Sequence, residues 1–119
     1  MGTKNFRHVT LPETLDMLPY VGRRPLGQAA ETALAAAGGR LQYRLVSIVV
    51  HIGHSLRSGH YIAYKRASPG GAGGAAAPVW ECWNDSAITT VTWEVVAAQP
   101  AYLVFYECMD MGLLAAVFP

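Results

Sequence analysis

Between Ala67 and Val79 the chain runs through SPGGAGGAAAP, eleven residues with no side chain large enough to pack. On one side stands HYIAYKR (His60 to Arg66), on the other VWECWN (Val79 to Asn84). Both flanks are rich in aromatic and branched residues, as strands are. A glycine-rich low-complexity segment between two such runs makes a flexible hairpin tip over 68–78, and it forces the flanks to run antiparallel.

The rest of the chain extends this β signal. Leu41 to His51 (LQYRLVSIVVH) begins with alternation and ends in a β-branched run, as a strand entering a core does. IGHSLRSG then reads as a polar, glycine-flanked loop. Ile88 to Val91 and Ala101 to Cys108 (AYLVFYEC) are further strands, the latter buried. Thr92 is positioned to cap a short helix, WEVVAAQ, that Pro100 follows. Towards the N-terminus, His8 to Leu11 reads as a short strand, and ETLDMLPY as a brief helical or turn-like stretch stopped by Pro19. The Ala-rich segment 22–39 holds either a helix over Glu31 to Ala37, ended by Gly38-Gly39, or a loop. The tail 109–119 either packs back on the sheet or stays exposed. The expected fold class is α+β: a mainly antiparallel sheet with a few short helices.

With 119 residues the chain makes one domain at most, or part of one. Nine basic against eight acidic side chains leave a formal charge of +1, which gives no electrostatic case for nucleic acid. Two cysteines exclude a disulfide-stapled scaffold and a four-thiolate metal site. The start, MGTKNFRHVTLPE, reads neither as a secretory signal nor as a myristoylation site. No window is long and apolar enough to span a membrane.

If Arg66 and Val79 flank the tip, opposed residues of the hairpin have numbers adding to about 144 or 145. At 144, Tyr64 faces Trp80, Ile62 faces Cys82 and His60 faces Asn84. At 145, His60 faces Asp85. Opposed Cβ atoms lie roughly 4.5–5.5 Å apart, so either register brings an imidazole to a carboxamide or a carboxylate. A histidine held through one ring nitrogen keeps the other for a proton from a nucleophile. On the hairpin alone, a structural hydrogen bond at a strand end is the commoner explanation.

Three stretches alter that balance. YRLVSIVVHIGHSLRSGHYIAYKR carries a strand ending in H-x-G and then a G-H-Y box; WECWNDS starts at Trp80; AYLVFY starts at Ala101. With HVTLPETLDMLPY upstream, they resemble, in order, the C-terminal part of the catalytic domain of ubiquitin-specific proteases, the papain-like cysteine deubiquitinases. The resemblance implies the C-terminal portion of a papain-like fold across residues 1–119, and thiol-dependent cleavage after the C-terminal glycine of ubiquitin. It implies His60 as general base, Asn84 as the residue that orients it, and Asp85 as a polar contributor and alternative orienter. His54 to Ser58 resembles the family's mobile blocking loop. His54, Ser58, Gly59 and Tyr61 are then the substrate-binding candidates, with Gly59 leaving room for backbone against substrate; Tyr64 belongs to the core. Ubiquitin and ubiquitinated proteins are the implied partners, in the cytoplasm or nucleus, with no cofactor and no metal.

The sequence departs from the family in one decisive place: no N-terminal cysteine box occurs in it, nor do the family's zinc-binding fingers. The chain alone is therefore expected to be inactive, and to need the missing N-terminal part of the catalytic domain as a partner. A catalytically inactive ubiquitin-binding or pseudo-protease fragment is the alternative. Cys82, mid-strand between tryptophans, has neither the helix terminus nor the cation that activates a thiol, and Cys108 stands near the end of a buried strand, so both read as packing residues. His51, His54 and His60 form H-x2-H-x5-H, with Asp85 as a conceivable fourth ligand, but no further ligand pattern supports a metal. Lys65-Arg66 is a solvated strand end.

Overall fold

The computed structural model describes Asn5 and residues 7–22, 26–55, 57–67 and 78–118. The expected tip at 68–78 lies, except for Pro78, outside the described residues. The elements are β1 (Thr14–Asp16), α1 (Gln28–Ala36), β2 (Gln42–Ser55), β3 (Ser58–Arg66), β4 (Trp80–Asn84), β5 (Ala87–Val91), α2 (Trp93–Ala97), β6 (Ala101–Cys108) and α3 (Met111–Val117). Strand order is β1-β2-β3-β4-β5, with β6 also paired to β2, and every pairing is antiparallel. The α+β class is thus what the chain folds into.

Two compact units divide the chain: Met1–Pro12 with Val46–Phe105, and Glu13–Leu45 with Tyr106–Pro119. In the second unit the start of β2 is paired on both edges. Leu15 lies opposite Tyr43 on one side, and Cys108 opposite Tyr43 on the other. The expected strand at His8 to Leu11 is absent; the strand falls at Thr14–Asp16, inside the segment read as helical or turn-like, and a 3-10 turn over Leu18–Tyr20 follows it. Three residues are too few for propensity to decide, and the edge of β2 supplies the hydrogen bonds instead. Asp16 fixes the bend: its Oδ1 accepts from the N–H groups of Leu18 and Leu41, both at 3.0 Å.

Of the two readings of the Ala-rich segment, the helix is realised, and Gly38 and Gly39 end it at φ 75° each. The tail forms α3, capped by Asp110, whose Oδ1 accepts from Leu113 N–H at 2.9 Å. Ala30, Leu41, Leu113 and Val117 are the buried core of this unit, so the tail packs rather than hangs free.

The first unit is an antiparallel meander from β2 to β5, followed by α2; β6, expected as a buried strand, instead leaves Tyr102, Leu103, Val104 and Phe105 about half exposed. Thr92 caps α2 as expected, accepting from Val95 N–H at 3.4 Å. Ile48, Val50, Tyr64, Trp80 and Val96 are buried here, and the Trp80 and Trp93 rings lie 5.7 Å apart. The stretch expected as the loop IGHSLRSG is mostly strand: β2 runs to Ser55, β3 begins at Ser58, and the two serines pair.

Candidate active site

The β3–β4 register differs from expectation. Ala63 lies opposite Trp83, Tyr64 opposite Cys82, Lys65 opposite Glu81 and Arg66 opposite Trp80, pairs whose numbers add to 146. The ladder reaches one residue further into the tip, where Ala67 N–H donates to Val79 C=O at 2.8 Å. The offset from 144 is two, an even number, so the same residues share a face. His60 and Asn84 become diagonal rather than direct neighbours, and they still meet: His60 Nε2 and Asn84 Oδ1 are 2.6 Å apart.

An amide oxygen only accepts, so Nε2 carries the hydrogen and donates it to Asn84. The lone pair of the neutral ring is then on Nδ1. His60 is 43% exposed, so Nδ1 belongs to a ring that outside groups can approach. Asp85 Oδ2 stands 3.7 Å from the same Nε2, with its side chain 80% exposed. Asp85 has φ 52°, the left-handed conformation of the tight turn between Asn84 and Ala87, which aspartate tolerates better than most residues. Asn84 is therefore the hydrogen-bond partner, and Asp85 is an exposed charge beside it.

Cys82 is further from His60 than the 144 register implies. It faces Tyr64, four residues along β3, or roughly 13 Å at strand rise. The Tyr64 phenol is pushed up, first by burial, then by its hydrogen bond to Cys82 and by the charge of that thiol when ionised. Cys108 packs against the core of the second unit and donates from Sγ to Asp110 C=O at 3.3 Å. The H-x2-H-x5-H histidines do not converge. His51 is 4% exposed and opposes Tyr61, whereas His60 opposes Ile52 on the other face of the hairpin. Lys65 and Arg66 are not simply solvated: they stand 4.8 Å and 4.9 Å over the rings of Trp83 and Trp80.

His54 is exposed on β2, and Ser58 opens β3 with its Oγ 3.3 Å from Ser55 Oγ. Gly59, at φ 149°, is required by its own chain: a Cβ there would collide with Ile52 C=O and come within 2.5 Å of His51 Nε2. Tyr61 is half exposed, its ring 4.8 Å from that of His51 and 6.1 Å from that of Tyr102. This three-ring group joins the H-x-G, G-H-Y and A-Y segments. Each is visible as a motif, but only the strand pairing brings them together.

Among the described residues no helix is long and apolar enough to cross a membrane. The sequence model of the ubiquitin carboxyl-terminal hydrolase family matches residues 1–106. Ubiquitin carboxyl-terminal hydrolase 20 of Arabidopsis thaliana is 27% identical over 103 residues, covering 87% of this chain and 12% of its own length. Ubiquitin carboxyl-terminal hydrolase 17-like protein C of Mus musculus is 32% identical over 106 residues, covering 89% and 16%. A chain of the yeast SAGA DUB module superposes with a TM-score of 0.67 at 27% identity, covering 91% of this chain and 21% of that one. A chain of the SAGA DUB module containing Ubp8, Sgf11, Sus1 and Sgf73 bound to monoubiquitin gives 0.66 at 27% identity, covering 91% and 20%. The chain thus spans about an eighth to a sixth of the length of these curated relatives. It belongs to the ubiquitin carboxyl-terminal hydrolase family, as a ubiquitin-specific protease segment aligned with part of the catalytic domain.

Proposed function

We propose that this chain supplies the His/Asn half of a cysteine deubiquitinase active site, with His60 as the general base and Asn84 as the residue that orients it. The observation that carries the reading is the 2.6 Å contact between His60 Nε2 and Asn84 Oδ1. It commits one ring nitrogen and leaves Nδ1 to take a proton from a thiol. That thiol comes from polypeptide outside these 119 residues, since Cys82 lies opposite Tyr64 and Cys108 is packed. The thiolate attacks the carbonyl carbon of ubiquitin's terminal glycine, and the bond from that carbon to the lysine nitrogen breaks as the thioester forms. His60 then gives its proton to the leaving lysine amine, and water hydrolyses the thioester. His54, Ser58, Gly59 and Tyr61, on the hairpin that presents His60, are the candidate contacts to the ubiquitin tail. Ubiquitin and ubiquitinated proteins are the partners, and the reaction takes place in the cytoplasm or nucleus. Residues 1–119 act together as a partial catalytic domain.

A fluorogenic ubiquitin C-terminal conjugate tests this. The 119-residue chain gives no turnover above background, whereas an enzyme joining this segment to a family cysteine box does. In that enzyme His60→Ala lowers turnover by about 10²–10⁴-fold. Turnover by the chain alone that survives replacement of both Cys82 and Cys108 by Ala overturns the mechanism.

The absence of a thiol beside His60 within the chain favours a second reading, a ubiquitin-binding module without catalysis. Titration with labelled ubiquitin separates the two. Saturable binding with no gain of turnover when the cysteine box is supplied selects the second.

A further inference from the structure

The β2–β3 ladder is regular from Ser47–Lys65 to Ile52–His60 and resumes one residue out of step at Ser55–Ser58. Gly53 and His54 on β2 therefore oppose Gly59 alone on β3, which makes a β-bulge directly before His60. Bulges of this kind bend a strand and re-aim the side chain beside them. Both bulge glycines have φ values open mainly to glycine, 147° for Gly53 and 149° for Gly59. Both lie beside the His51 ring. A Cβ on Gly59 would collide with Ile52 C=O and fall 2.5 Å from His51 Nε2, while a Cβ on Gly53 would fall 2.8 Å from Ser58 C=O and reach His51 Cε1 only at an ordinary contact of 3.5 Å. The His51 ring is buried beneath them and is flanked by the rings of Tyr61 at 4.8 Å and Tyr102 at 6.3 Å.

We propose that His51 is a positioning residue for His60: its buried imidazole is the plug over which Gly53 and Gly59 close, and it sets the bulge that aims His60 at Asn84. The inference rests on the His60–Asn84 reading above and extends it to the opposite face of the hairpin. The shape of the ring matters in both directions. A smaller side chain leaves the bulge unsupported. A larger ring pushes into the space that Gly59 leaves by having no Cβ. Either change moves the backbone at residue 59, and the direction of the next side chain moves with it. A shift of a few tenths of an ångström is enough to lengthen a 2.6 Å hydrogen bond.

The experiment is heteronuclear NMR on the ¹⁵N-labelled 119-residue chain, following the His60 Nε2–H signal and its exchange with solvent. The indole N–H signals of Trp80, Trp83 and Trp93 report on the fold. In the wild type the His60 Nε2–H is protected, and Asn84→Ala removes the protection. His51→Ala speeds its exchange at least about tenfold while the indole signals keep their dispersion. His51→Phe, which retains aromatic contact with Tyr61 and Tyr102, does the same, and it decides the matter if His51→Ala fails to fold. Protection in the wild type that survives in a folded His51 variant overturns the positioning role and leaves the His60–Asn84 pair standing. A wild-type His60 with no protection, indifferent to Asn84→Ala, overturns both.

Discussion

The two ends of the β3–β4 ladder share one face and are built for different purposes. At the tip end, Trp80 is fully buried and Tyr64 is 8% exposed, with Ile48 beneath Tyr64 across the neighbouring pair. At the other end, His60 is 43% exposed, Asn84 is exposed, and Ile52 opposite His60 is half exposed. The closed end is held by apolar area and ring contacts. The open end is held by one side-chain hydrogen bond and a tight turn. Burial at one end anchors the strands, and the polar pair at the other can then be fixed without being enclosed. A pair so placed is available to a group that arrives from elsewhere.

The sharpest way to break this contrast is to change one residue at each end and read both activity and stability. His60→Ala, in an enzyme completed with a cysteine box, removes turnover by the factor given above. Because the side chain is partly exposed, its loss costs only the net value of one hydrogen bond, about 0.5–1.5 kcal/mol in denaturant unfolding. Trp80→Ala does the reverse. Its large cavity costs about 3–5 kcal/mol. Unfolding that shifts equally for both variants would mean that the two ends are not distinct.

Gly59→Ala comes next in size and probes the join between the open end and the hairpin behind it. The added methyl meets Ile52 C=O and the His51 ring, at a φ that alanine rarely adopts. The expected cost is about 1–3 kcal/mol, measured by thermal unfolding. A neutral outcome would show that the bulge yields freely.

How much of this could be read from residues alone varies with the physics involved. Face membership was legible, because side chains alternate with period two and the tip composition fixed the antiparallel return. The step of the register was not. It depends on how far the ladder climbs into the tip, and Ala67 carries no side-chain signal for that. Parity protects the meeting of His60 and Asn84, while Cys82 and Trp80 gain different direct neighbours, Tyr64 and Arg66. The segment IGHSLRSG looked like a loop because its polar residues and glycines are the usual loop composition. The same glycines serve a bulge, which keeps most of the ladder. The strand at Thr14–Asp16 is imposed by the edge of β2, and no local pattern announces it. In the tail, Asp110 ahead of an apolar run is the capping signal that α3 uses. The three-ring group of His51, Tyr61 and Tyr102 needed the pairing of strands to be seen at all.

The smallest expected effect sharpens the closed end. The Tyr64 phenol is raised above its ordinary value, mainly by burial, with the hydrogen bond and charge of Cys82 adding to it. A raised tyrosine keeps its proton in the folded state where the unfolded chain has lost it. Its contribution to stability is therefore complete below the ordinary tyrosine value of about 10, and it is lost as pH rises through the folded value. Thermal unfolding followed from pH 7 upward should show stability falling above about pH 10. In Tyr64→Phe that fall is shallower, and the remainder comes from Tyr106, which burial also raises. Cys82→Ala removes the two smaller causes and keeps the burial, so its curve lies between those of the wild type and Tyr64→Phe. If Tyr64→Phe keeps the whole wild-type fall, the phenol is not enclosed, and the closed end is as open as the end that carries His60.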